Sequence, residues 1–341
     1  MDSGAALTTY AGFERDFVTL GGDRVLLGSL MRGDKDFVSG SFSIIAEADE
    51  GLVLDDFGNA LQASNTPDLP ATVRILGRVW DRSQATQSVV LRLDRDLGFK
   101  FDPFNPGASS ETTLVAPKAV ELAQVAGFMI VADAGDPEVK VWGSAAAGNV
   151  APTFTSAVPA PAWDVALDEP SDRLYAALVD GTIAVFDDFL VTRPAAPSRV
   201  IIPSDNGVDP SGTSLRGIIH TTARFADQLI VCDIGVEGEA AGVDGSLIFI
   251  DGASTASGLV PVATTVAGPS TQLDDPGDVA WNGDTLWVAE RASGQLLRFE
   301  GLRNLEGDAA PDATQALPDV YSVELNPAFL SPGAGGSITT D

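Results

Sequence analysis

Cysteine and histidine each occur once in the 341 residues, as Cys232 and His220. One cysteine excludes an intrachain disulfide, and one histidine excludes any metal or acid–base centre that needs two imidazoles. Cys232 lies in the apolar run 229–233, where a small buried hydrophobe is expected. His220 follows the run 217–219 and is expected to be a structural residue satisfied by a hydrogen bond. Basic residues are scarce as well: 20 Lys and Arg stand against 48 Asp and Glu, a net charge of −28. No Lys/Arg cluster interrupts this acidity, which excludes a duplex-binding surface and nucleic acid as a partner. No apolar run approaches the roughly 18 residues of a membrane-spanning helix. The opening Met1-Asp2-Ser3-Gly4 has no charged segment followed by an apolar core. With the acidic, lysine-poor composition, this leads us to expect that residues 2–9 begin a mature exported protein or the tether of a lipoprotein with a lipid anchor. The expected location is extracellular, periplasmic or at the cell surface.

What the chain does have is 35 glycines, 21 prolines and a recurring strand pair. An apolar run, a polar turn and a second apolar run recur at 24–29 with 40–46, 128–133 with 138–143, 173–178 with 181–186, 228–233 with 245–251, and 285–290 with 294–300. Small sheets that bury their faces only by stacking on one another are the mark of a β-propeller, so the expected class is all-β. A leading strand precedes the clear copies, in Pro117-Lys118-Ala119-Val120, Pro161-Ala162-Trp163-Asp164-Val165, Leu215-Arg216-Gly217-Ile218, Pro276-Gly277-Asp278-Val279 and Leu317-Pro318-Asp319-Val320. Proline suits the start of a strand, where its missing N–H breaks no ladder bond. In the N-terminal third, 17–20 matches a leading strand, and 73–80 with 88–93 supplies a further blade. The count is six blades, with seven as the alternative if 7–12 and 319–325 form a separate one. Pairing of the N- and C-terminal strands is expected to close the ring and remove unpaired edges. The expected division is a lead-in over 1–15, one propeller domain over 16–325 and a flexible tail over 326–341.

The phrases Gly148-Asn149-Val150-Ala151-Pro152 and Asp172-Arg173-Leu174-Tyr175-Ala176-Ala177, with further Ala-Pro steps at 196–197 and 310–311, resemble the units of NHL-type and related six-bladed propellers over about 117–325. That resemblance implies a fold and leaves chemistry open, since such propellers include enzymes, ligand binders and scaffolds. The gluconolactonase-like propellers hold calcium through a Glu-Gly-Pro phrase, which this chain lacks.

In a propeller the leading residues of the inner strands ring the mouth of the central channel, the usual concave place for a ligand. One or two positions before the recurrent valine or isoleucine stand Asp16, Lys118, Asp164, Arg216, Asp278 and Asp319. Carboxylates in such a ring suit Ca2+ or Mg2+, and Lys118 and Arg216 suit a polar ligand. Oxygen-rich loops offer further Ca2+ candidates in Asp205, Asn206 and Asp209, and in Glu237, Glu239 and Asp244, although ordinary turn chemistry explains the same residues. Phe99, Phe101 and Phe104 group in one inter-blade loop that serves either interaction or plugging. The tryptophans Trp142, Trp163, Trp281 and Trp287 are expected to pack between blades. The leading functional expectation is a non-catalytic, extracytoplasmic binding or assembly module that takes a protein or glycan partner through its top-face loops, 101–111, 204–214 and 235–244. A metal-dependent hydrolase or lactonase using Asp164 and Asp278 is one alternative, and a calcium-bridged surface-layer or filament subunit another.

Overall fold

The computed structural model describes residues 113–123, 125–143, 151–204, 213–221, 227–236, 244–281, 284–316, 320 and 322–325, and the backbone of seven strands between residues 17 and 93. The first hairpin is β1 (Phe17–Leu20) with β2 (Asp23–Leu27), followed by β3 (Asp49–Leu54) with β4 (Ala60–Ser64). Next, β5 (Thr72–Ile75) pairs with β6 (Arg78–Asp81), and β7 (Val89–Leu93) returns to β4. Four antiparallel meanders come after these. The first is β8 (Pro117–Ala123), β9 (Phe128–Asp133), β10 (Glu138–Gly143) and β11 (Phe154–Ala157). The second is β12 (Ala162–Asp168), β13 (Arg173–Leu178), β14 (Ile183–Phe186) and β15 (Arg199–Ser204). In the third, β16 (Thr213–Thr221), β17 (Gln228–Val236) and β18 (Ser246–Asp251) are joined by β20 (Thr264–Ala267). Before it, β19 (Gly258–Pro261) crosses over to lie parallel on β15. The fourth is β21 (Pro276–Trp281), β22 (Thr285–Glu290), β23 (Gln295–Glu300) and β24 (Ala313–Ala316). Last, β25 (Val323–Leu325) pairs with β2.

The four clear repeats of the sequence are the four meanders. The N-terminal third differs from expectation in two places. Residues 17–20 do not take the innermost place in their sheet: β1 lies on the far side of β2, and β25 holds the edge that contacts β21 and β3. Residues 73–80 do not share a sheet with 88–93 either, because β7 extends the β3–β4 hairpin while β5 and β6 pair separately. The run Gly51-Leu52-Val53-Leu54, followed in sequence by the turn-prone pair Asp-Asp, carried that strand's signal. Residues 40–46 lie outside the described residues.

The central strands are largely apolar because both their faces are covered. In β13, Leu174, Ala176 and Leu178 join Ile130, Val139 and Val165 in one layer, while Tyr175 and Ala177 join Leu229 and Val231 in the next. In β17 the alternation repeats, with Leu229 and Val231 on one side and Ile230 and Cys232 packed against Leu286 and Val288 on the other. Period-2 side chains thus feed successive inter-sheet cores. Full burial of each Leu, Ile, Val or Phe there stabilises by about 1.5–3 kcal/mol.

Two further devices order the sheets. A buried acid ends the second strand of the first and fourth meanders and receives the loop that leads into the leading strand, and the partly buried Asp233, within β17, plays a similar part in the third. Asp133 accepts from the N–H groups of Val115 (2.8 Å) and Ala116 (2.7 Å), and from Lys140 Nζ (2.7 Å). Glu290 accepts from those of Asp274 (2.9 Å) and Asp275 (3.0 Å). Asp233 accepts from the Thr213 hydroxyl and from Gly235 N–H. At the rim, the outer strand of each of three sheets is held by the segment ahead of the next outer strand. Ser156 and Ala157 of β11 donate to Pro194 and Ala195, β15 takes β19, and Ala267 of β20 donates to Gly307. These clasps occupy edges that would otherwise offer open ladders.

Candidate binding site

The register of each leading strand slips at its start, between Pro117 and Ala119, Ala162 and Asp164, Leu215 and Ile218, and Pro276 and Asp278. A bulge of this kind lifts one residue out of the ladder and re-aims its side chain. The lifted residues include Lys118, Trp163, Arg216 and Gly277. Three of them meet: Lys118 Nζ stands 4.6 Å from the centroid of the Trp163 ring and Arg216 Cζ 3.6 Å from it. Arg291, from the turn after β22, brings its Cζ to 5.4 Å. Arg216 is only 4% exposed, whereas Lys118, Trp163 and Arg291 are half-buried. An indole face attracts cations through its quadrupole, and a guanidinium stacked on it keeps its N–H fork in the ring-parallel plane.

The leading residues expected to form one ring therefore divide into two sets. Lys118 and Arg216 belong to the bulges. Asp164 and Asp278 lie at the next register and serve the joints between sheets. Asp164 Oδ1 accepts from Val165 N–H (2.7 Å), and Oδ2 accepts from Ile218 N–H (2.8 Å) in the following sheet. Asp278 repeats the pattern with Val279 (2.7 Å) and Val323 (2.9 Å). The counterpart of Ile218 is thus Val323 rather than Val320, three residues beyond the position that the recurrent phrase suggests. Asp164 keeps some surface, yet its carboxyl is enclosed by protein. That burial pushes it up to about 7 against the pull of its two backbone donors.

Asp244 is exposed beside Gly235 and Asp274 and helps, after burial itself, to push Asp233 up to about 6 and to raise Asp274. Among the described residues, no group of three or more His, Cys, Asp and Glu stands where it would hold a metal ion. Asp16, Asp319, Asp205, Asn206, Asp209, Glu237, Glu239, Phe99, Phe101 and Phe104 lie outside the described residues. Cys232 is fully buried, its thiol pushed well up by burial and then by nearby carboxylates, which suits packing rather than nucleophilic work. His220 stacks on Tyr175 with ring centroids 5.3 Å apart, and its Nε2 lies 3.1 Å from Asp227 Oδ1. Trp142 and Trp287 are core residues, but Trp163 is not, contrary to the expectation that it packs between blades. Its place in Ala-Trp-Asp, at the position held by Lys118 in Pro-Lys-Ala, was the available signal.

No protein-family model matches the sequence, and no curated protein matches it. Among solved structures, the chain is similar to one in the crystal structure of the nidogen/laminin complex. The TM-score is 0.56 at 12% identity, over 89% of this chain and 94% of that one. It is also similar to hydrazine synthase of Kuenenia stuttgartiensis, with a TM-score of 0.54 at 11% identity, over 86% of this chain and 94% of that one. Both are propeller-type structures, and at these identities the likeness is one of fold alone: the chain has an all-β, β-propeller-type architecture.

Proposed function

We propose that the chain is a non-catalytic binding module that works outside the cytoplasm, and that its partner seats over Trp163 at the leading ends of the inner strands. The observation that carries this reading is the convergence of side chains lifted by bulges in three consecutive sheets, Lys118, Trp163 and Arg216, on one ring. Bulges concentrate where a fold re-aims side chains for use. The architecture in this reading is a closed ring of six blades of the NHL type. It is supported by the cyclic contacts of β8 with β12, β12 with β16, β16 with β21, β21 with β25, β25 with β3, and β3 with β8. The hydrolase alternative drew on Asp164 and Asp278. Both carboxylates are engaged by the backbone of the following sheet, which weighs against their use as a metal ligand or general base.

A protein partner is the working case, since the similar chain of the nidogen/laminin structure belongs to a complex of two proteins. The test is capture of proteins from the organism's own envelope and exterior on the immobilised chain, run beside Trp163→Ala. Because Trp163 is half-buried and outside the core, the variant is expected to keep its strand spectrum and to lose the captured partner. Equal capture by both proteins would move the site elsewhere, and no capture by either would sink the binding reading. Mass spectrometry of the native N-terminus tests the location: an unprocessed cytoplasmic start would contradict it.

A further inference from the structure

We infer that the Lys118–Trp163–Arg216–Arg291 cluster is a receptor for one compact oxyanion, carboxylate or phosphate, on a ligand whose remainder is neutral or cationic. The inference rests on the proposed seat at Trp163 and names the chemistry that the seat selects.

The cluster gathers positive charge where the molecule has little of it. Three cations from three sheets stand within 5.4 Å of one ring centroid in a chain of net charge −28. Arg216 is almost wholly buried, with its Cζ 3.6 Å from the ring centroid, so its guanidinium has little freedom left to lose when a ligand arrives. A guanidinium fork recognises carboxylate and phosphate through paired charge-assisted hydrogen bonds. The fourth bulge carries Gly277, which adds no side chain to this group.

The neighbouring acids set the rest of the ligand. Arg291 Nη1 lies 3.7 Å from Asp275 Oδ1, so the acids begin one residue from the cations. Beyond Asp275 come Asp274 and the exposed Asp244, close enough to Asp274 and Asp233 to raise both carboxyls. An extended polyanion would lay its further charges on these acids. A ligand with one anionic head and a neutral or ammonium-bearing body avoids that repulsion and gains from it.

The experiment is calorimetric titration of the full chain at low ionic strength with three probes: inorganic phosphate, O-phosphoethanolamine and a linear polyphosphate. Acetate serves as the carboxylate arm. Phosphate and O-phosphoethanolamine are expected to bind with one site, O-phosphoethanolamine at least as tightly, and polyphosphate more weakly per chain. Arg291→Gln, at a half-buried turn position, is expected to weaken phosphate about tenfold while leaving the fold intact. Arg216→Lys, which keeps the charge and loses the fork, should weaken it similarly. Acetate binding above phosphate would assign the head to a carboxylate. No binding of any compact anion, tighter binding of polyphosphate, or affinity indifferent to both substitutions would overturn the inference. If Trp163→Ala still abolishes partner capture in that case, the seat stands and only its anion chemistry fails. If anion binding holds and capture does not respond, the reverse is true.

Discussion

Asp164 is a carboxyl whose ionisation works against the fold. Unfolded, it titrates near 3.8; enclosed between two sheets, it is pushed up to about 7. Between those values the folded state binds the extra proton, so the contribution is most favourable below about pH 4. It declines as pH rises through 7 and is constant above. A tenfold change in proton affinity corresponds to about 1.4 kcal/mol; discounted for the residue's partial exposure, the contribution is about 1–3 kcal/mol. Wild-type protein is therefore expected to resist urea better at pH 6 than at pH 8, and Asp164→Asn to flatten that difference. Asp233, at about 6, and the raised Glu290 and Asp274 add declines of their own, so it is the difference between wild type and Asp164→Asn that reports Asp164. An unchanged slope in Asp164→Asn would refute the assignment. The sequence marked Asp164 as special through its place before a recurrent valine. It could not say that the carboxylate faces the next sheet, because that depends on a bulge one residue earlier, and bulges leave no composition of their own.

At the scale of elements, neighbouring inner strands approach too closely for ordinary side chains. A Cβ added to Gly217 would sit 2.5 Å from Asp278 Cα, so backbone rather than a flexible tip would have to move. Gly217→Ala is expected to cost about 1–3 kcal/mol through this overpacking, read as a lower urea midpoint with an unchanged slope. A neutral result would mean that the strands separate freely. The strands of the four meanders were legible because, with both faces covered, each central strand is a plain apolar run bounded by turn residues. The first blades were less so. The strand that completes the β2 edge comes from β25, about 300 positions away in the chain, and no local pattern reports such a pairing. Trp163 was misread for a related reason: at a bulge, the alternation that sorts core from surface loses its phase.

For the whole molecule, 48 acids against 20 bases make folding a work against self-repulsion, since compaction brings these charges together. Raising salt from about 10 mM to about 300 mM shortens the screening length severalfold, and the thermal midpoint is expected to rise accordingly. A midpoint that fell with salt would mean that local ion pairs, such as Arg173 and Arg199 with Asp187, outweigh the net charge. The same salt series should weaken phosphate binding at Trp163, so stability and affinity are expected to move in opposite directions.

The rim clasps change what it takes to pull these neighbouring sheets apart. With Ser156 and Ala157 tied to Pro194 and Ala195, β15 to β19, and Ala267 to Gly307, each of these links joins one sheet to its successor along the outer strands. The links act as a strap across adjoining staves, loaded in tension when any one of them is pushed outward. One blade cannot swing free until its neighbour's rim segment lets go. Among the described sheets, rupture is therefore expected to run from one to the next in order, a sequence that single-molecule pulling on the first and fourth meanders would record as steps.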